Sequence, residues 1–188
     1  MNDILTIDTG AGLVSQQKVD PLPLYDEKHP MLMDEIPEYV GPLPNPNISL
    51  LIQRLKLTMK LYGGVGLSAN QCGVFERVFV IGTDYFQIAC INPKVLQVSD
   101  NLDKSEEGCL SYPGLYLKIP RPLSVHAEFT DENGVLQRKW LDGVTARCYL
   151  HELDHMNGIR FIEKVGSVSL TQARRKQTKL IKKVQRRK

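Results

Sequence analysis

Two histidines four residues apart, with acids between them, are the part of this 188-residue chain that speaks most directly of chemistry. In His151-Glu152-Leu153-Asp154-His155, the HExxH pattern, both imidazoles fall on one face of a helix, so both can reach one metal ion. Glu152 stands on the flank of that face. There it can take a proton from a water beside the ion without binding the ion itself. Composition alone produces this spacing in about one chain in two hundred of this length, so it needs support. Two imidazoles also leave a catalytic site short of its three protein ligands. Zinc proteases commonly take the third from a Glu or His soon after the helix. Here Glu163 lies eight residues past His155, beyond Gly158, and no later His exists. Cys109, in Glu107-Gly108-Cys109-Leu110-Ser111-Tyr112-Pro113, is the better candidate. A thiolate is a strong ligand for a borderline metal, and Gly108 lets the backbone approach closely.

These residues need elements to hold them. Val144 to Asn157, ending at Gly158, reads as the helix that carries the histidine pair. An earlier helix is predicted from Asn47 as N-cap to the stop at Gly63-Gly64. Its apolar positions Ile48, Leu51, Ile52, Leu55, Met59 and Tyr62 share one face. Arg77–Gly82 and Phe86–Ile91 read as buried strands, with shorter candidates at Lys94–Val98 and Leu115–Ile119. Leu123–Thr130 and Val135–Leu141 flank Asp131-Glu132-Asn133-Gly134, a hairpin turn. Seven prolines between Pro21 and Pro46 exclude long helices at the start and predict an extended wrapping segment. Helix, strands, then helices argue for an α+β fold: antiparallel or mixed sheets packed around the central HExxH helix, with a helix at the C-terminal end. One catalytic domain over 1–188 is expected, with a loose extension over 1–20 and a basic helix over 169–188.

The chain's length and its 42% apolar share suit a globular core, and no run of residues is long and apolar enough for a membrane helix. The first twelve residues contain no Lys or Arg, which argues against a secretory signal or an Arg-rich transit peptide and makes the cytoplasm the expected location. None of the four cysteines forms a Cys-x-x-Cys pair. Cys72, Cys90 and Cys148 read as small buried hydrophobes. His29 and His126 read as structural or solvent-facing. Residues 174–188 hold nine cations and no acid, so a net +3 for the whole chain leaves −6 for the rest. Leu170, Ala173, Leu180, Ile181 and Val184 could line the inner side of that basic helix. An exposed cationic helix suits phosphate-rich RNA.

Three stretches together resemble the peptide deformylase family. That family carries a Gly-φ-Gly-φ-Ala-Ala-x-Gln loop, then Glu-Gly-Cys-Leu-Ser, then Gln-His-Glu-x-Asp-His. The chain has Gly64-Val65-Gly66-Leu67-Ser68-Ala69-Asn70-Gln71, then Glu107 to Ser111 without a mismatch, then Leu150 to His155. The likeness runs from about residue 20 to 165. Tyr112-Pro113-Gly114-Leu115-Tyr116, Arg121-Pro122 and Ala146-Arg147 resemble the form found in many bacteria and in plant organelles. Ser68 departs from the first Ala of the loop, and Leu150 departs from the Gln before the first histidine, which bears on packing and not on the ligands.

The resemblance implies removal of the formyl group from the N-terminal formyl-methionine of nascent polypeptides. It implies metal ligands Cys109, His151 and His155, with one divalent ion, Fe(2+) foremost and Zn(2+), Ni(2+) or Co(2+) as substitutes. Glu152 would be the general base. The Gln71 side chain and the Leu110 backbone N–H would donate to the developing oxyanion. Val65, Gly66 and Gly108 would hold the substrate strand. Glu107 or Asp154 would orient a ligand imidazole or pair with Arg121. The resemblance also implies ribosome or rRNA contact through the basic helix, and no membrane. Two other readings stay open: a general metallopeptidase, and a non-catalytic ribosome- or RNA-binding protein with a structural metal, in which Glu152 would have no task.

Overall fold

The computed structural model describes residues 19–83 and 85–186. The extension expected over 1–20 therefore falls, apart from Val19 and Asp20, outside the described residues. From Val19 to Asn45 the chain is extended, broken by a turn at Glu27 and Lys28 and a 3-10 turn at Pro30–Met33. It is fastened at intervals. The Leu22 N–H donates to Thr58 Oγ1 (2.7 Å), the Tyr25 N–H to the Gln71 carbonyl (2.9 Å) and the Ile36 N–H to the Met156 carbonyl (2.9 Å). These bonds take up donors and acceptors that a Pro-rich segment cannot satisfy internally.

Helix α1 (Pro46–Leu61) has its N-cap two residues earlier than its sequence suggested. Asn45, not Asn47, is the N-cap, and its side chain accepts from the Asn47 N–H at 2.9 Å. Pro46 then sits at the first helical position, where its missing N–H costs nothing. The helix stops as expected. Gly63 (φ 66°) takes the left-handed conformation, and the Gly63 and Gly64 N–H groups donate to the Lys60 and Met59 carbonyls.

Seven strands follow: β1 (Gly66–Ser68), β2 (Val78–Thr83), β3 (Phe86–Val98), β4 (Leu102–Gly108), β5 (Tyr116–Pro122), β6 (Ser124–Thr130) and β7 (Leu136–Asp142). They form a five-stranded sheet in the order β1-β2-β3-β6-β7 and a two-stranded sheet of β4 and β5. Every named pairing is antiparallel. The two short runs expected at Phe86–Ile91 and Lys94–Val98 are one strand, interrupted in register after Ile91. Asn92 (φ 52°) and Pro93 cause the break, because Pro93 cannot donate to the ladder. The Asn92 side chain stands in for a strand partner, bonding both the N–H and the carbonyl of Tyr39.

The large sheet is covered on both faces, which is why β2 reads as an unbroken apolar run. Val78 and Val80 pack with α1. Phe79 and Ile81 pack on the other face with helix α2 (Gly143–Met156), alongside Val125, Phe129 and Tyr149. The α+β class with antiparallel sheets and a C-terminal helix is thus as expected. The last helix, α3 (Ser167–Gln185), lies against the β4–β5 hairpin through Leu170 and Ala173. The other apolar residues expected on its inner side, Leu180, Ile181 and Val184, are exposed, and its one buried residue is Gln177. No helix among the described residues is long and apolar enough to cross a membrane.

Helix α2 ends at Gly158 (φ 67°), whose N–H donates to the His155 carbonyl while the Ile159 N–H reaches the Asp154 carbonyl. A Cβ on Gly158 would lie 2.8 Å from the Met33 carbonyl oxygen and 2.9 Å from the Asp34 carbonyl carbon. Both the conformation and the neighbouring backbone forbid a side chain. Gly158→Ala is expected to destabilise the fold by about 2 kcal/mol, seen as a lower urea midpoint at unchanged slope; an unmoved midpoint would contradict this.

Candidate active site

Helix α2 delivers His151 and His155 from one face, with ring centroids 5.1 Å apart. Cys109 follows the last residue of β4, in a tight turn closed by the Tyr112 N–H to the Cys109 carbonyl (2.9 Å). Its Sγ lies 3.2 Å from His155 Nε2, and the ligand atoms of Cys109, His151 and His155 all lie within 4.8 Å of one another. One sulfur and two nitrogens gathered this closely, all buried, fit a single divalent cation. Glu152 packs beside them. Its Oε2 is buried without a partner among the described residues, as is His155 Nδ1. An unsatisfied carboxylate oxygen next to such a donor set is what a proton-transferring group in a metal site requires.

Gln71 enters from a 3-10 turn (Ala69–Cys72) after β1. Its Oε1 accepts from the Ser68 N–H (3.0 Å) and lies 2.9 Å from Ser68 Oγ. That fixes the amide, so Nε2 points to Ser111 Oγ (3.1 Å) and Cys109 Sγ (3.4 Å). The Leu110 N–H makes no hydrogen bond among the described residues. One side-chain donor, Gln71 Nε2, thus stands beside the sulfur. Ser68, expected only as a departure from the family loop, and Asn70, given no role by the sequence, both act here. The Asn70 Nδ2 donates to the His155 carbonyl (2.7 Å) and its Oδ1 accepts from Ser68 Oγ (2.8 Å), tying the Gln71 turn to the ligand helix. An Asn two residues after a buried Ser was the available signal, because such pairs favour local side-chain bonding.

Glu107 is the buried centre of the support. Its Oε1 accepts from Arg121 Nε (2.8 Å) and Arg147 Nη1 (2.6 Å), and its Oε2 from Arg121 Nη2 (2.9 Å), with His151 Nδ1 at 3.0 Å. Arg121 also reaches Asp154 Oδ2 at 2.6 Å. Both sequence suggestions hold together: Glu107 orients a histidine and pairs with Arg121, and Asp154 pairs with Arg121. Burial works against the Glu107 charge, but the hydrogen bonds from His151 and Arg121 outweigh it and hold the carboxyl down to about 2. At Glu152 the balance is reversed: burial outweighs the nearby His151 charge and a hydrogen bond from Ser68 and pushes the carboxyl up to about 7. Burial above all keeps the His155 imidazole well below its ordinary value, which favours the neutral form that a metal ligand needs.

A cavity of about 540 Å³ opens onto these groups, lined among others by Gly64, Gly66, Gln71, Cys109, His151 and Glu152. Strand β1 is the edge of its sheet and β4 has a partner on one side only, so the cavity lies against unpaired strand edges that bear Gly66 and Gly108. Val65 is on the same rim. Gly66 has a reason the sequence reading did not give. A Cβ there would meet Glu152 Oε1 at 2.4 Å and Cys148 Sγ at 2.6 Å, so the glycine makes room for the acid as well as for a ligand. Of the residues set aside, Cys72 and Cys90 are buried thiols, whereas Cys148 is only half-buried and lines the cavity, with its Sγ 3.1 Å from the Val65 carbonyl. His126 stacks on Trp140 and His29 lies tilted against Tyr25, and neither joins the cluster.

Comparison with known proteins agrees with this geometry. The family described as polypeptide deformylase matches residues 21–170. A peptide deformylase of Synechococcus sp. (strain RCC307) is 41% identical over 127 residues, 65% of this chain; the matched stretch spans 63% of that relative's length. A peptide deformylase of Thermotoga maritima is 33% identical over 140 residues, covering 74% of this chain and 85% of the relative. Among solved structures, a peptide deformylase from Synechococcus elongatus in complex with actinonin superposes with a TM-score of 0.79 at 34% identity, over 84% of this chain and 86% of that one. One from Legionella pneumophila gives 0.79 at 32%, over 89% and 99%. The matched region contains the cysteine turn, the Gln71 turn and the histidine helix with the spacing that forms the cluster, and the chain belongs to the polypeptide deformylase family.

Proposed function

We propose that the chain removes the formyl group from the N-terminal formyl-methionine of nascent polypeptides and releases formate. The observation that carries this reading is the buried Cys109–His151–His155 cluster with the Glu152 carboxylate beside it, one oxygen of which is buried and unpartnered, facing a cavity along open strand edges. A divalent ion on those three ligands would supply Lewis acidity, favouring hydroxide as the nucleophile and polarising a carbonyl. Likeness to the family makes ferrous iron the proposed ion, with zinc, nickel or cobalt as substitutes, since a Cys-His-His set accepts any of them.

The remaining work belongs to the chain. An extended peptide end pairs with backbone groups of Val65, Gly66 and Gly108 at the strand edges. Glu152 takes a proton from the attacking water and later returns it to the leaving nitrogen, so that the amine departs neutral. Negative charge gathers on the formyl oxygen. Gln71 Nε2 and the Leu110 N–H donate to it, each donor worth about 3 kcal/mol of barrier. Because the Gln71 amide is locked by Ser68, the donor is in place before the charge develops. The cytoplasm, where new chains emerge, is the proposed location. We assign the outward cations of α3, among them Arg175, Lys176, Lys179, Lys182 and Lys183, to contact with ribosomal RNA.

Glu152→Gln is expected to lower formate release from a formyl-methionyl tripeptide by at least about 10² while keeping one metal per chain. Cys109→Ala is expected to lose the metal. A silent Glu152→Gln would favour a structural-metal protein, and cleavage of unformylated peptides a general peptidase. Because burial places Glu152 near 7 and a bound cation can only lower it, kcat/KM should fall on the acid side with an apparent pKa no higher than about 7. An acid limb above that value would assign the base elsewhere. Charge reversal at Lys179, Lys182 and Lys183 should weaken co-sedimentation with ribosomes at low salt and leave tripeptide turnover unchanged. Undiminished co-sedimentation would contradict the contact.

A further inference from the structure

Helix α3 is polar almost throughout and strongly cationic, yet its one buried residue is a glutamine. Burying an amide without partners costs about 1–3 kcal/mol, so Gln177 must be satisfied by something specific. It is. Its Nε2 donates to the Pro113 carbonyl at 2.9 Å, and its Oε1 accepts from Arg174 Nη1 at 3.0 Å. Because the guanidinium can only donate, the amide has one orientation, with its N–H₂ aimed at Pro113.

Arg174 is fixed in turn. It makes a two-pronged ion pair with Glu27 of the N-terminal strap, and its guanidinium carbon lies 5.8 Å from the centre of the Tyr112 ring. Tyr112 packs edge-on against Phe161 at 4.9 Å, and Phe161 against His151 at 5.7 Å. Alone among the described members of the nine-cation run, Arg174 is thus turned inward with an acidic partner.

The turn that these two residues grip is the one that presents Cys109. Its inner side is held by Gln71 through Ser111 and the sulfur. Its outer side has Gln177 on the Pro113 carbonyl and Arg174 on Tyr112. Leu180 continues the contact, 3.3 Å from where a Cβ on Gly114 would stand. We infer that Gln177, oriented by Arg174, is a positioning residue for the Cys109 turn, so that α3 is part of the catalytic unit and not only a cationic appendage. This rests on the deformylase reading of the cluster.

The test separates positioning from mere stability. Gln177→Glu keeps the length and strengthens the bond to Arg174, but cannot donate to Pro113 when ionised. A purely structural role predicts lower stability but wild-type kcat and KM in the folded protein. Positioning predicts about a tenfold fall in kcat on a formyl-methionyl tripeptide with KM nearly unchanged. It also predicts faster hydrogen exchange of the 109–115 amides and an altered thiolate-to-cobalt absorption band in the cobalt-loaded protein. Should the acid prevent folding, Gln177→Met, which fills the space without donating, carries the same expectations. Wild-type kcat, exchange and cobalt spectrum in a folded variant would overturn the inference. A wild-type protein that binds cobalt without any thiolate band would refute the metal reading instead, and the exchange of residues 109–115 would then decide the Gln177 link independently.

Discussion

One buried carboxylate holds the site together. Glu107 is bound by two guanidinium groups and one imidazole that arrive from β5 and α2, while it sits on β4 itself. Arg121 passes the connection to Asp154, and Lys164 completes it at 2.9 Å from the other Asp154 oxygen. Buried ion pairs seldom add net stability, because desolvation offsets attraction. Their value here is geometric. A Glu107 that stays ionised gives His151 Nδ1 an acceptor, which leaves Nε2 for an ion and fixes the ring plane. Removing Glu107 would take one acceptor from each of two guanidinium groups and free a ligand ring at the same time, so structure and chemistry cannot be separated at this residue.

That constraint also explains what the sequence could and could not disclose. The histidine pair and its acid are local: helical spacing brings them together whatever the rest of the chain does. Helix α2 and both hairpin strands β6 and β7 were legible for the same reason, through periodicity and turn residues. Strand β4 was not. Its less exposed face carries Asp103, Ser105 and Glu107 in place of apolar residues, because that face is needed for the ion network. A hydrophobic-pattern reading looks for apolar alternation and passes over a strand whose alternation is polar. Strand β1 is too short for any period, and the continuity of β3 depends on Tyr39 pairing with the side chain of Asn92, a contact 53 residues away.

The two departures from the family motifs turn out to differ in kind. Leu150 lies on the side of α2 that packs with the large sheet, and what it offers the site is its carbonyl, which any residue would supply to Arg121 (3.5 Å). The change is one of packing. Ser68 is otherwise. Its hydroxyl is fully buried between Asn70 Oδ1 and Gln71 Oε1 and can donate to only one of them at a time. It adds a polar group to a turn whose other members already aim at Cys109 and at the carbonyl of His155, which makes that turn stiffer than an alanine would.

A thiolate from one element and two imidazoles from another make the cluster a product of the tertiary fold and not of any local segment. The histidines are fixed by a helix with apolar cover on one face and charged support on the other. The cysteine stands in a turn of a few residues, which has no helical or strand ladder of its own to hold it. That asymmetry accounts for the convergence of side-chain contacts on residues 109–114: Gln71 from within, Phe161 from the flank, Arg174 and Gln177 from outside. Ligand geometry can be no better defined than its least constrained donor. The apparently peripheral parts of the chain, the strap at Glu27 and the cationic helix, spend their few specific interactions where that donor needs them.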